Sequence, residues 1–169
     1  EPATLTGNHA PDGTFSGPGI TDNGNGTATF DPAAAGTGGT VTYEYYTGLP
    51  WKKVSAGYYH TLGIKADGTL WGWGYEYYGS IGNSGDDDSN VPLQVGTDTD
   101  WADVSAGAYH SLGVKTDGTL WAWGNNGAGQ LGIGNTTNQN IPVQVGAATD
   151  WAYVEAGDGR SFGIKTDGS

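Results

Sequence analysis

The sequence predicts an all-β fold assembled from tandem four-stranded units, and three observations lead there. First, 32 glycines accompany seven tryptophans and ten tyrosines in 169 residues. Glycine at this level without a triplet period excludes collagen, and the apolar side chains supply area to bury, against wholesale disorder. Second, Trp51, Trp101 and Trp151 recur at fifty-residue intervals, and the register between them needs no insertion. Third, glycine, Asp-Gly and proline signals cut each unit into short extended runs, and no stretch carries the three-to-four-residue period of an amphipathic helix.

Each unit parses in the same order. Trp51-x-x-Val54-Ser55-Ala56-Gly57 is an extended run ended by glycine, answered by the runs beginning at Trp101 and Trp151. His60-x-Leu62-Gly63-Ile64-Lys65, then Asp67-Gly68, then Thr69-Leu70-Trp71-x-Trp73-Gly74 reads as a hairpin with a tight primed turn. Pro92-x-Gln94-Val95-Gly96 and Pro142-x-Gln144-Val145-Gly146 read as fourth strands, with proline at the strand start. Four short strands per fifty residues is the pattern of a propeller blade. Units 51–100 and 101–150 are complete and 151–169 is partial, too few blades to close a ring. The chain starts without methionine and stops one residue past an Asp-Gly turn, so it is read as a segment of a longer polypeptide.

The run Val-Ser-Ala-Gly-x-x-His-[Thr/Ser]-Leu-Gly-[Ile/Val]-Lys-x-Asp-Gly-Thr-Leu-Trp-x-Trp-Gly, followed by Asn125-Asn126-x-x-Gly129-Gln130-Leu131-Gly132, resembles the repeat of the regulator of chromosome condensation family over residues 50–169. The resemblance implies a β-propeller whose ring, usually of seven blades, is completed by further blades of the same longer chain or of other copies. Residues 1–49 do not align with the repeat. Thr27–Phe30 and 40–46 read as strands, and Asn23-Gly24 and Asn25-Gly26 as turns. The runs 13–24 and 30–36 are similar to the tandem immunoglobulin-like repeats of large secreted Bacteroidetes surface proteins. That resemblance implies a β-sandwich-like segment and an extracellular or cell-surface setting in a bacterium.

Charge narrows the partners. Six basic residues against 18 acidic ones give a formal net charge of -12. Nucleic-acid binding requires cations to displace counterions from phosphates, so nucleic acid is not an expected partner, and an anionic membrane surface is disfavoured for the same reason. No apolar stretch is long enough to cross a bilayer as a helix. Cysteine is absent, and no His-x-x-x-His pattern occurs.

Residues with chemical potential are weighed against the repeat. His60 and His110 share one repeat position, with Arg160 third, which favours a structural bond to neighbouring backbone over catalysis; His9 has no evident partner. Asp67, Asp117 and Asp167 share an Asp-Gly context and are read as turn residues. Trp71 with Trp73, and Trp121 with Trp123, suit packing between blades better than sugar stacking. Gly127-x-Gly129-x-x-Gly132, with Asp150 downstream, satisfies a dinucleotide-binding pattern but precedes no helix, which that mechanism needs. Asp86, Asp87 and Asp88 form a weak calcium candidate without the spacing of a calcium loop. The sequons at Asn25 and Asn135 carry little weight.

Positions where the units disagree are more informative. Tyr75-Glu76-Tyr77-Tyr78 replaces Asn125-Asn126-Gly127-Ala128, and Tyr58 replaces Ala108. Tyrosine offers large contact area with a polar tip and is enriched in recognition surfaces. Tyr58, Tyr75, Glu76, Tyr77 and Tyr78 are therefore the candidate partner-binding residues. The expected function is a non-catalytic binding or adhesion module that needs no cofactor and presents propeller loops to a protein or glycan. The alternative is a soluble protein-binding inhibitor or regulator.

Overall fold

The computed structural model describes residues 3–6, 14–18, 20–22, 27–30, 42–44, 50–85 and 87–169, and the chain divides into two compact units, Glu1–Leu49 and Pro50–Ser169. In the first unit, β1 (Ala3–Thr6), β4 (Thr27–Phe30) and β3 (Ile20–Asp22) form an antiparallel sheet in that order. A second pair joins β2 (Thr14–Ser16) to β5 (Thr42–Glu44). The strand expected over 27–30 is present, and the one expected over 40–46 is described over Thr42–Glu44. His9, the Asn-Gly turns at 23–26, the Asn25 sequon and Asp86 lie outside the described residues.

The second unit repeats one sheet. In the first blade β6 (Trp51–Ala56), β7 (His60–Lys65), β8 (Leu70–Gly74) and β9 (Ser89–Gln94) pair in sequence order, all antiparallel. The second blade repeats this with β10 (Trp101–Ala106), β11 (His110–Lys115), β12 (Leu120–Gly124) and β13 (Gln139–Gln144). The third has β14 (Trp151–Ala156) and β15 (Ser161–Lys165). No helix occurs among the described residues, and the blades do not close a ring. First strands approach one another: β10 lies against both β6 and β14.

Two local details differ from the sequence reading. The Asp-Gly turn is not primed. Gly68 N–H donates to the Lys65 carbonyl, Lys65 N–H donates to the Thr69 carbonyl, and of the loop only Gly68 has positive φ, 82°. That is a three-residue loop, a type I turn followed by a left-handed glycine. Asp67 holds it by accepting the Thr69 N–H at 3.0 Å and hydroxyl at 2.7 Å, while the Thr69 hydroxyl accepts Trp71 Nε1–H at 2.8 Å. Asp117, Thr119 and Trp121 repeat the relay. Proline, in turn, is not at the strand start: Pro92 lies inside β9 and Pro142 inside β13. Both strands are the last in their sheets, and the β8–β9 and β12–β13 registers slip at this stretch. An edge strand with a bulge tolerates the missing N–H.

The core lies in the seams between blades. Leu62, Ile64, Leu70 and Val95 of the first blade bury against Trp101, Val104, Ala106 and Trp123 of the second. Leu112, Val114, Leu120, Ala122 and Leu131 of the second bury against Val154 and Ala156 of the third. Polar bonds cross at matching places. Ser55 Oγ accepts the Ala106 N–H at 3.0 Å and Ser105 Oγ the Ala156 N–H at 2.9 Å, while Lys53 pairs with Asp103. Within each blade the first tryptophan covers a mid-strand glycine. A Cβ on Gly63 would come within 2.5 Å of the Trp51 ring, and one on Gly113 within 2.5 Å of Trp101.

Candidate functional site

Six tyrosines gather on the loop ends of the first two blades. Tyr59 and Tyr109 stack with centroids 5.0 Å apart, and Tyr75 stacks on Tyr77 at 4.9 Å. Tyr58 meets Tyr59 edge-on at 4.8 Å, Tyr78 meets Tyr77 at 5.0 Å, and Tyr77 lies 5.7 Å from Tyr109. Tyr59, Tyr75, Tyr77, Tyr78, Tyr109 and Asn125 line a cleft of about 670 Å³. A second cleft of about 560 Å³ shares Tyr59 and Tyr109 and runs over the Ala-Gly steps at the ends of β6, β10 and β14 to Asp158. Tyr58 is 78% exposed, and the tyrosines at 75, 77 and 78 are each more than two-fifths exposed. Folding does not require such large aromatic area to stay wet.

Local sequence explains the display. Ser80 N–H donates to the Tyr77 carbonyl, and the two residues between them, Tyr78 and Gly79, have φ of 61° and 87°. Positive φ at both central positions is what a primed turn needs. A bulky residue there is strained, and Ala128, at the matching place of the second blade, is not left-handed. The equivalent turn there runs one residue earlier, with Gly129 N–H donating to the Asn126 carbonyl. The tyrosine loop is clamped across the seam. Ser84 N–H donates to the Asn140 carbonyl, and the Ser80 carbonyl accepts both Ser111 Oγ–H at 2.8 Å and Trp123 Nε1–H at 3.0 Å. Ile81 below it is fully buried.

Of the five predicted partner-binding residues the structure brings four together, Tyr58, Tyr75, Tyr77 and Tyr78. Glu76 turns inward: its Oε2 accepts the Ile81 N–H at 2.7 Å, and its N–H donates to Asp88 at 2.8 Å. Asn126 and Asn138 do the same work in the second blade, with Leu131 N–H and Asn126 N–H as donors. Glu76 and Asp88 therefore hold the loop. With Asp88 engaged and Asp87 exposed, no group of three metal-ligating side chains forms among the described residues. Tyr59 and Tyr109 are the residues that sequence reasoning missed. Both stand at one repeat position, where agreement between units hides a surface role behind the repeat. Each sits in the bend just before the buried histidine that opens the second strand of its blade.

Both histidines bond a serine side chain, and the Arg160 backbone is a further hydrogen-bond partner of His110. His60 Nε2 lies 2.7 Å from Ser111 Oγ, and His110 Nε2 3.0 Å from Ser161 Oγ. Each serine hydrogen goes on to a carbonyl, Ser80 or Gln130. The imidazole must then donate from Nε2, the reverse of a base activating a nucleophile. Burial, then His110, lowers the His60 pKa to about 4; burial lowers that of His110 too. His60 and Ser111 are 2% and 0% exposed, out of substrate reach. Trp123 is buried in the first seam and Trp121, under Lys115, packs against the same seam cluster, whereas Trp71 lies under Lys65 within its blade. Gly129 and Gly132 are left-handed loop residues between two strands, with no helix to meet a pyrophosphate.

Carboxylates act on the tyrosine cluster from two sides, Asp88 on Tyr75 and Asp158 on Tyr109. A hydrogen bond with Tyr59 is the first cause that pushes the Tyr109 pKa up to about 12, with burial and the charge of Asp158 adding to it. Burial, Tyr77 and Asp88 raise Tyr75. With their pKa values raised, the Tyr75 and Tyr109 phenols stay neutral at physiological pH and can stack and hydrogen-bond.

Comparison with known proteins places this geometry. The family model described as "Regulator of chromosome condensation (RCC1) repeat" matches residues 67–114 and 117–164, more than half of the chain, and a second model of that description matches 51–80 and 101–130. The first match straddles blades, taking the outer strands of one and the first two of the next. No curated protein sequence matches the chain. Among solved structures, human WBSCR16 superposes with a TM-score of 0.62 at 19% identity, covering 75% of this chain and 34% of its own. Prp20p from Saccharomyces cerevisiae gives 0.62 at 20%, covering 80% and 36%. The same yeast protein in complex with Kap60 gives 0.61 at 21%, covering 78% and 34%. The chain thus spans about a third of the length of these structures, and at such identities the likeness concerns the fold. The chain belongs to the regulator of chromosome condensation (RCC1) repeat family.

Proposed function

We propose that the repeats act as a non-catalytic binding module of a secreted or cell-surface multidomain bacterial protein, with the tyrosine cluster as its contact surface for a protein or glycan. The observation that carries this reading is the cluster itself: exposed rings of the first blade packed on half-buried Tyr109 of the second, with a loop fixed by seam hydrogen bonds and bent by a left-handed tyrosine. Rings held in place in advance lose little entropy on binding, and strain tends to collect at functional sites. Residues 1–49 serve as part of an immunoglobulin-like stalk. Several blades offering loops side by side suit multivalent contact with a surface.

A second reading, a soluble protein-binding regulator, draws support from a solved relative: the structure of Prp20p is described with its binding to Gsp1p and histones. A glycan array and a soluble-partner capture, each run with the native chain and with Tyr77→Ala/Tyr78→Gly, separate the two. Array binding lost in the variant supports the adhesion module. A stoichiometric soluble partner lost in the variant supports the regulator. Binding indifferent to both substitutions contradicts the tyrosine surface.

A further inference from the structure

We propose that the tyrosine groove receives an arginine-bearing extended segment of a protein partner, its guanidinium groups stacked on the tyrosine rings. This deepens the proposed contact surface and rests on it. The fold already shows how its aromatic faces meet cations. Lys65 Nζ lies 3.8 Å from the Trp71 ring centroid, Lys115 Nζ 4.7 Å from Trp121, and Lys165 Nζ 5.4 Å from Trp151. Each blade thus sets a lysine of its own over its first tryptophan, and the first two blades over Trp71 and Trp121 as well. Among the described residues, the only tyrosine in such a pair is Tyr153, so none of the six clustered rings is covered.

Charge points the same way. No lysine or arginine lines either cleft, Asp158 closes one end, and Asp88 acts on Tyr75 at the other. The whole chain carries a formal -12. Ring faces that are themselves electron-rich, flanked by carboxylates, attract a cation most strongly. Arginine fits better than lysine because its planar, weakly hydrated guanidinium lies flat on a ring while keeping its edge donors for the phenol oxygens. The two clefts share Tyr59 and Tyr109, so they form one path over the Ala-Gly steps of successive blades, which suits an extended chain rather than a single side chain.

The test titrates the whole chain calorimetrically with a capped decapeptide alternating arginine and glycine, and with versions carrying lysine or the neutral isostere citrulline. Arginine should bind, lysine several-fold more weakly, and citrulline at least tenfold more weakly. Tyr77→Ala should weaken arginine binding at least tenfold while Tyr77→Phe retains most of it. Tyr58→Ala, at the most exposed ring, gives the same readout should Tyr77→Ala fail to fold. Equal binding of arginine and citrulline overturns the inference, as does arginine binding unmoved by the tyrosine changes, which would reflect general charge alone. Citrulline peptide or a neutral oligosaccharide binding in a Tyr77-dependent way would leave the contact surface standing and sink its cationic occupant. No binding by any of these probes would count against the arginine occupant alone.

Discussion

At the residue scale, the seam is built on His60, Ser111 and the Ser80 carbonyl, in series and out of water. Ser111→Ala removes the acceptor of one buried donor and the donor of one buried carbonyl. It should cost about 1–3 kcal/mol in urea denaturation, without altering the surface. The imidazole also makes stability pH-dependent. The unfolded chain takes up the proton near 6.5, but the folded one only near 4. Stability is therefore full above pH 6.5 and falls as pH drops from 6.5 towards 4, by at most about 3 kcal/mol from this group. Thermal midpoints at pH 7.5 and 5 should show the fall, and His60→Gln should reduce it, leaving the part that buried His110 contributes. A flat native profile would contradict the burial argument. The same scale shows why the site was only partly legible. Tyr58, Tyr75, Tyr77 and Tyr78 stood out because the repeat did not need them, whereas Tyr59 and Tyr109 were hidden by serving in both blades. Glu76 differs from Asn126 in type yet keeps its hydrogen-bonding job, which a comparison of letters does not reveal.

At the element scale, the hairpin turns carry the strictest demands. Gly118 has φ of 78°, and a Cβ there would stand 2.1 Å from the Thr149 carbonyl oxygen, so Gly118→Ala combines backbone strain with a main-chain clash. Gly129 has φ of 77° with open space around it. Gly129→Ala should cost only the left-handed penalty of about 1–2 kcal/mol, and Gly118→Ala clearly more, by thermal denaturation of the two variants side by side. Strand number and order could be read from glycine, aspartate and proline punctuation. Turn type could not, because Asp-Gly serves both a two-residue primed turn and a three-residue loop, and the extra paired residue decides between them. The proline was misplaced for a related reason: an edge strand with a bulge extends past the point where its ladder slips.

At the scale of the whole molecule, equivalent residues differ by what stands next to them. Leu112 is 2% exposed in a seam between blades, and Phe162, its counterpart fifty residues on, is 61% exposed. Leu112→Asp buries a charge without a partner and should abolish the cooperative fold, while Phe162→Asp should shift stability by no more than about 0.5 kcal/mol. Circular dichroism melts of both decide it. Blade architecture was legible because the fifty-residue period imposes one sheet per unit. The function was less so, since contact surfaces arise where loops from different blades meet, and no single repeat contains that information. The central claim is that the tyrosine cluster exists for recognition and the blades fold without it. The most direct measurement is the thermal midpoint of the native chain and of a Tyr58→Ala/Tyr77→Ala/Tyr78→Gly variant, each with and without saturating arginine–glycine peptide. Similar midpoints are expected without peptide, with an upward shift on adding it for the native chain and none for the variant. A variant that melts far lower on its own, or that shifts as much as the native chain, would contradict it.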